Sequence, residues 1–347
     1  MVRDRVGMNI SYNEKNRVFK LDTVYSSYCI GIVDDENFVG HIYYGRKLAE
    51  DNLAYLMRTE EAPFVPSKNN RDRAAFLDTF PMEYTGNGLG DYREGALEIR
   101  TMSGHSGVAL SYVSHRIYDG KDPLEGLPAT FGDAGACKTL ELTCEDRILG
   151  LQVILSYSIF ADSDALARSV KIVNNGQEPV YLTKVMSACI DMDNDGYEMI
   201  TLHGSWGRER AIQTRPVMKG KQSVSSIRGE SSHQEHPFMA WKKRTTTEET
   251  GDIYAMNFVY SGNFLAQIEE NQFGSIRAMM GIHPYDFCWK LESGDSFQAP
   301  EVVCVYSAEG IGGMTRTFHD LYRNHLIRGE YKDKKRPILI NNWEATY

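Results

Sequence analysis

Short apolar runs broken by polar turn clusters recur along most of the chain, and few of them carry a helical period. Residues 17–22, 25–33 and 38–44 are β-rich runs separated by Glu-Lys-Asn and Asp-Asp-Glu-Asn, which predicts a meander of short strands. Periodicity dissolves over 45–93, a stretch that holds Pro63, Pro66, Asn69, Asn70, Pro81 and Gly86-Asn-Gly-Leu-Gly-Asp91. A segment this long inside a domain reads either as a functional lid or intersubunit arm, or as a surface insertion. Strands are expected again at 96–100, 108–118, 138–143, 151–160, 165–173 and 180–190, then at 253–260, 264–268, 276–280 and 301–306. Alternation in Leu140-Glu-Leu142 and Val170-Lys-Ile-Val173 marks strands with one wet face. The sum is a mainly β chain, a large antiparallel sandwich.

One helix breaks this pattern. Met314, Phe318, Leu321, Tyr322 and Leu326 recur at three- and four-residue intervals, an amphipathic stripe ending near Gly329. A charged hinge, 328–336, leads from it to Pro337, Ile338, Leu339 and Ile340. With no polar alternation, that last run predicts a strand buried on both faces, the kind found in parallel sheets. Asn341, Asn342 and Trp343 follow where such a strand would end, and β/α barrels place ligand sites at the carboxyl ends of their strands. The expectation is therefore a sandwich domain over 1–328, followed over 329–347 by a linker and the first strand of a barrel. Such a chain would be the front part of a longer enzyme. Without parallel neighbours the terminal strand is expected to be disordered or packed in a non-native way.

The 347 residues are 42% apolar, ample for a large core. A formal charge of −9 argues against nucleic acid or an anionic membrane as partner. No apolar run approaches the ~18 residues of a membrane span, and Met1-Val-Arg-Asp-Arg-Val-Gly lacks the apolar core of a secretory signal. Six cysteines lie scattered with no C-x-x-C, which fits reduced thiols in a cytoplasmic protein.

Three clusters invite chemistry. Asp191-Met-Asp-Asn-Asp-Gly196 has the spacing of a calcium loop's first half, but its twelfth position is Leu202 where glutamate is required, so an acidic turn is the better reading. His233-Gln-Glu-His236 spaces two imidazoles for a metal on a helix, yet Ser231, Ser232 and Pro237 argue for a loop whose histidines only hydrogen-bond. Trp206-Gly-Arg-Glu-Arg210 suits a sugar contact, an interface or an Arg–Glu brace between loops. No metal or cofactor is called for.

Several stretches resemble bacterial α-galactosidases of glycoside hydrolase family 36. They are His115-Arg-Ile-Tyr-Asp-Gly-Lys121, Gly126-Leu-Pro-Ala-Thr130, Trp206-Gly-Arg-Glu-Arg210, Ser231-Ser-His-Gln234, 258–267, Pro300-Glu-Val-Val303 and 336–347, in family order. The resemblance begins near Met8. It implies an N-terminal β-supersandwich of the galactose mutarotase type, then a (β/α)8 barrel, then a small β-domain, with the terminal strand here as the barrel's first. It also implies a retaining hydrolase whose nucleophile and acid/base are aspartates on later barrel strands, two carboxyl groups only ~5–5.5 Å apart. No residue of this chain matches either one, so both catalytic aspartates are expected downstream of Tyr347.

Three substrate-binding residues carry over from the resemblance. Trp343 matches a tryptophan that lines the galactose pocket, where an indole face packs on the apolar surface of a pyranose. Arg73, in Arg71-Asp-Arg-Ala-Ala-Phe-Leu-Asp-Thr79, matches a segment that in tetrameric relatives reaches a neighbouring subunit's active site. Its rigid fork suits adjacent sugar hydroxyls, and it suits an ion pair within the loop equally. Glu60 falls near a family aspartate. The chain is thus expected to be the N-terminal, non-catalytic domain of an α-galactosidase acting on melibiose- or raffinose-type galactosides, inactive alone and forming a homo-oligomer. The alternatives are a free-standing carbohydrate-binding sandwich, working through Trp206 or the 45–93 stretch, and an assembly scaffold without sugar affinity.

Overall fold

The computed structural model describes residues 7–49, 52–57, 80–88 and 90–343. Strands β1 (Asn9–Asn13), β2 (Val18–Asp22), β3 (Ser26–Val33) and β4 (Phe38–Arg46) form a four-stranded sheet in sequential order. Next come β5 (Leu97–Thr101), β6 (Ser111–Asp119), β7 (Cys137–Asp146), β8 (Leu151–Phe160) and β9 (Ser163–Asn174). The middle of the chain gives β10 (Val180–Asp193), β11 (Tyr197–Ser205), β12 (Arg208–Pro216), β13 (Gly220–Ser226) and β14 (Glu235–Lys243). Then follow β15 (Ile253–Val259), β16 (Phe264–Glu270), β17 (Ser275–Ile282), β18 (Trp289–Leu291), β19 (Ser296–Gln298), β20 (Glu301–Ser307) and the helix α1 (Gly310–His325).

A ten-stranded sheet runs β12-β11-β14-β15-β20-β9-β8-β7-β6, with β19 also on β9. A six-stranded sheet runs β13-β16-β17-β10-β18, with β5 also on β10. Every pairing between named strands is antiparallel. The period-two pattern of β8 explains the layering. Leu151, Val153, Leu155, Tyr157 and Ile159 all point inward and meet Leu182 and Ile190 of β10 in one buried cluster. Each such aliphatic side chain contributes roughly 1.5–3 kcal/mol by leaving water.

The other face of the ten-stranded sheet is partly roofed by α1. Ala165 and Ala167 on β9, Ala255 on β15 and Val303 and Val305 on β20 meet Met314, Phe318 and Leu321 of the helix. Small strand residues let the helix come close. No side chain caps its start; instead the N–H groups of Gly310, Ile311 and Gly312 donate to Gly251, Thr247 and Glu248 carbonyls at 3.0, 3.1 and 2.8 Å. Arg323 and His325 sit in its last turn, the favourable end for positive charge.

The expected sandwich strands and the one helix are present, and β1, β11 through β14, β18 and β19 add to them. The amphipathic stripe stops at His325, short of the expected Gly329. Glu235 and His236, read as loop residues, open β14 instead. Ile338, Leu339 and Ile340 belong to no strand and are more than four-fifths exposed. A strand meant for burial on both faces has no parallel neighbour among the described residues, so nothing holds it in register.

Candidate functional site

Glu60 and Arg73 lie outside the described residues, and Met57 and Phe80 flank the stretch that carries them. Tyr347, beyond which the catalytic aspartates are expected, also lies outside them, and the description ends at Trp343. Gly31 of β3 and Gly40 of β4 are register partners on the outward face of the small sheet. A methyl group on Gly31 would lie 2.3 Å from Met57 Sδ, and one on Gly40 would lie 2.4 Å from the Phe80 ring. Met57 and Phe80 share one apolar cluster with Val33, Phe38 and Met82. Met57 and Phe80 therefore seat on one bare patch.

The returning segment is bonded into the sandwich at each step. His41 N–H donates to Pro81 O at 2.9 Å and Glu83 N–H to Val39 O at 3.1 Å, so 81–83 covers the open edge of β4. Met82 N–H donates to Asp191 Oδ2 at 3.0 Å. Glu83 then turns fully inward. Its Oε1 accepts from Tyr28 at 2.6 Å, Tyr157 at 2.8 Å and Arg168 at 2.8 Å, while Oε2 lies 3.1 Å from His41 Nδ1. Burial pushes both phenols well up, and the Glu83 charge adds to it, so each stays a proton donor.

A second network secures residues 91–94. Arg277 on β17 grips Asp191 with two bonds of 2.8 Å and reaches Asp91 at 2.8 Å. Arg93 contacts Asp91 at 3.1 Å and Asp191 at 3.4 Å. Burial would push the Asp191 carboxyl up; Arg277, helped by Arg93, more than reverses this and holds it below its usual range. Glu94 is bonded by Lys184 at 2.8 Å and by Lys221, and despite partial burial its carboxyl is lowered to about 2. These residues form a rigid base rather than a reactive centre. Apart from Asp191, sequence reasoning missed it because its members come from β3, β4, β8, β9, β10, β13, β17 and a segment without period.

Of the remaining sequence candidates only Asp191 belongs to that base. Asp191, read as the start of an acidic turn, spends its carboxylate on Arg277 and Arg93 at the end of β10. His233 Nδ1 accepts from Arg210 at 2.8 Å, and Glu235 pairs with His203 at 3.0 Å. Burial and the Arg210 charge lower His236 to about 4. Trp206 caps the β11–β12 hairpin and is 91% exposed. Trp343 is 61% exposed beyond α1 and packs in no core cluster. No group of three or more potential metal ligands occurs among the described residues.

A cleft of about 310 Å³ opens on the outer face of β6–β9, beside α1. Arg116 stacks 4.1 Å above the Tyr118 ring and pairs with Glu141 at 3.1 Å; the Tyr118 hydroxyl reaches the same carboxyl at 3.3 Å. Lys121 on its wall bonds Glu301 at 2.7 Å and Thr130 O at 3.0 Å. The described sequence candidates do not line this cleft.

Residues 37–292 match the glycosyl hydrolase family 36 N-terminal domain, and residues 296–347 match melibiase. The chain is 42% identical to alpha-galactosidase AgaA of Geobacillus stearothermophilus over 341 residues, 98% of this chain and 47% of the relative. It is 37% identical to alpha-galactosidase Mel36A of Lactobacillus acidophilus over 340 residues, 97% of this chain and 46% of the relative. Among solved structures, the GH36 alpha-galactosidase AgaB from Geobacillus stearothermophilus superposes with a TM-score of 0.91 at 41% identity, over 98% of this chain and 46% of that one. An AgaA variant in complex with raffinose superposes with a TM-score of 0.90 at 42% identity, over 94% and 46%. The chain spans about half the length of the curated relatives it matches.

Proposed function

The chain belongs to glycosyl hydrolase family 36, and from that premise we propose that it is the N-terminal portion of an α-galactosidase that releases terminal α-galactosyl groups with retention from raffinose- or melibiose-type oligosaccharides. The observation that carries this reading is the order of the two family matches on one chain, 37–292 and then 296–347. The sandwich would end after Arg328, because α1 packs on the ten-stranded sheet, and 329–347 would lead into the catalytic barrel. The paired carboxylates of retaining hydrolysis would belong to that barrel, downstream of Tyr347, and to no residue of this chain.

On this reading the sandwich contributes shape rather than chemistry. Met57 and Phe80 hold the two ends of the 58–79 stretch on the Gly31–Gly40 patch, and the Glu83 and Asp191 networks stiffen its return. Arg73 and Glu60, within that stretch, would reach the rim of a neighbouring subunit's site in a homo-oligomer. Trp343 would face the galactosyl ring. Five of the six free thiols are buried, which supports a reducing, cytoplasmic setting.

The test is hydrolysis of a chromogenic α-galactoside by the 347-residue chain, and by a protein in which it is followed by the remainder of a relative such as AgaA. Turnover is expected only in the longer protein. Turnover by the chain alone, after removal of host enzymes, would refute the assignment of chemistry elsewhere; no turnover in either would refute the substrate class.

A further inference from the structure

The cleft beside α1 has a floor unlike an ordinary solvated sheet face. On β9 the outward positions run Ala165, Ala167, Ser169, Lys171, and on β8 they run Phe160, Ser158, Ser156. Residues under α1 are apolar; hydroxyls begin where the helix no longer covers the sheet. Strand register then sets four of the polar groups in one line. Arg116 on β6 is opposite Glu141 on β7, Glu141 is opposite Ser156 on β8, and Ser156 is opposite Ser169 on β9. Lys171 and Gln298 complete the floor at the β9 end.

Three of these groups have capacity to spare. The Ser169 residue is only 6% exposed, and neither its hydroxyl nor that of Ser156 makes a hydrogen bond within the described protein. Neither is a sealed, unsatisfied atom: both hydroxyls open to the water of the cleft, so a ligand can replace that water without breaking a bond within the protein. Gln298 has committed its amide nitrogen to the Val170 and Ala299 carbonyls at 3.1 and 3.0 Å, which leaves its amide oxygen as an acceptor.

The chemistry of the row selects a ligand class. Arg116 and Lys171 only donate, the Glu141 carboxylate only accepts, and the two serines do both. An anion would need donors throughout and would be repelled by Glu141 and by Asp122 on the wall. A lipid or apolar ligand would strand every one of these groups. A neutral polyol matches, because each of its hydroxyls donates and accepts in turn. The volume of about 310 Å³ falls at the small end of ligand clefts, enough for one or two sugar units.

We infer that the outer face of β7–β9 is a binding site for a neutral saccharide, with Ser156, Ser169 and Glu141 as its recognition groups. The argument rests on the register of this chain and is independent of where hydrolysis takes place.

Titration calorimetry of the 347-residue chain with galactose, sucrose and raffinose, and with inorganic phosphate, tests it. Saturable binding of at least one sugar is expected, weakened tenfold or more in Ser156→Ala/Ser169→Ala and unchanged in Trp206→Ala. Amide shift mapping on the unmodified chain is expected to place the perturbed signals on β7, β8 and β9, which covers the case of a variant that fails to fold. Lys171→Ala, at an exposed position, supplies a second weakened variant without touching the core. Absence of saturable sugar binding, perturbed amides elsewhere, or preferential binding of phosphate would each overturn the inference. The readout is affinity in this chain, so its failure leaves the galactosidase assignment standing, and the reverse holds too.

Discussion

Gly31 and Gly40 face each other across β3 and β4, and neither position has room for a side chain. Met57 and Phe80 occupy that room, so two missing methyl groups let both side chains seat on one patch. Gly40→Ala would force the Phe80 ring and the Pro81 carbonyl, 3.3 Å away, to give. Overpacking of this kind costs about 1–3 kcal/mol. Gly107→Ala, with nothing within 4 Å, is the matched control and should leave stability unchanged. Urea denaturation of both variants decides the point; equal midpoints would mean that the packing of Phe80 on this patch does not contribute to stability.

Much of this architecture is legible in the sequence, and what is not has physical causes. Where a strand buries one face, as β8 does, its apolar positions alternate and its bounds can be read off; 151–160 is the observed strand. The β11–β12 hairpin escapes such reading because β12 is exposed almost throughout, and an edge strand with no buried face leaves no alternation to find. Tertiary clamps are invisible for another reason. Glu83 and Arg168 lie 85 positions apart, and nothing local distinguishes Glu83 from a solvated carboxylate. Pattern sets Trp343 at the end of an apolar run and resemblance alone gives it a sugar, and Arg73, Glu60 and Tyr347 fall outside the described residues, so the proposed rim contacts rest on resemblance while the fold rests on strand register.

Arg277 and Asp191 test how such a clamp works. Removing one partner leaves the other charge buried and unpaired, so Arg277→Ala should cost about 3–5 kcal/mol. Replacing both, Asp191→Leu with Arg277→Met, removes the uncompensated charge and should cost distinctly less than the single change. A double-mutant cycle read by chemical denaturation measures the difference. A double variant weaker than Arg277→Ala would mean that Asp91 and Arg93 depend on the pair more than the pair depends on itself.

The acid limb of stability should report Glu94. Its carboxyl is lowered in the folded chain from 4.5 to about 2 by Lys184 and Lys221 against the opposing effect of burial. A lowered carboxylate stabilises the fold above its unfolded value, and this contribution is lost as pH falls through the folded one. Asp191, also lowered, acts in the same direction. Asp164 and Glu269 are raised by burial and oppose them, gaining stability on protonation above the ordinary carboxylate range. Glu94→Gln should therefore shallow the loss of stability between pH 4.5 and about 2, the window set by its own shift, and leave the profile above pH 6 parallel to that of the unmodified chain. Denaturation midpoints across that range give the answer, and superimposable acid limbs would remove Glu94 from the account.

Trp343 and Arg73 should separate binding from folding. Trp343 is 61% exposed and outside the core clusters, so Trp343→Ala is expected to leave the denaturation midpoint of the 347-residue chain unchanged. In a protein extended by the remainder of a relative, the proposed packing of this indole on the galactosyl ring predicts that Trp343→Ala lowers kcat/KM about tenfold, the order expected for losing one buried apolar face. Arg73→Ala removes hydrogen bonds from a charged fork, so KM should rise by tenfold or more with a smaller change in kcat. Arg73→Lys should recover little of the loss, because an ammonium cannot span two adjacent hydroxyls as a guanidinium does. An ion-pair role within the loop predicts the opposite pattern: substantial rescue by lysine and a lowered denaturation midpoint in Arg73→Ala. Kinetics on the extended protein, set beside melting curves of the 347-residue chain, distinguish the two.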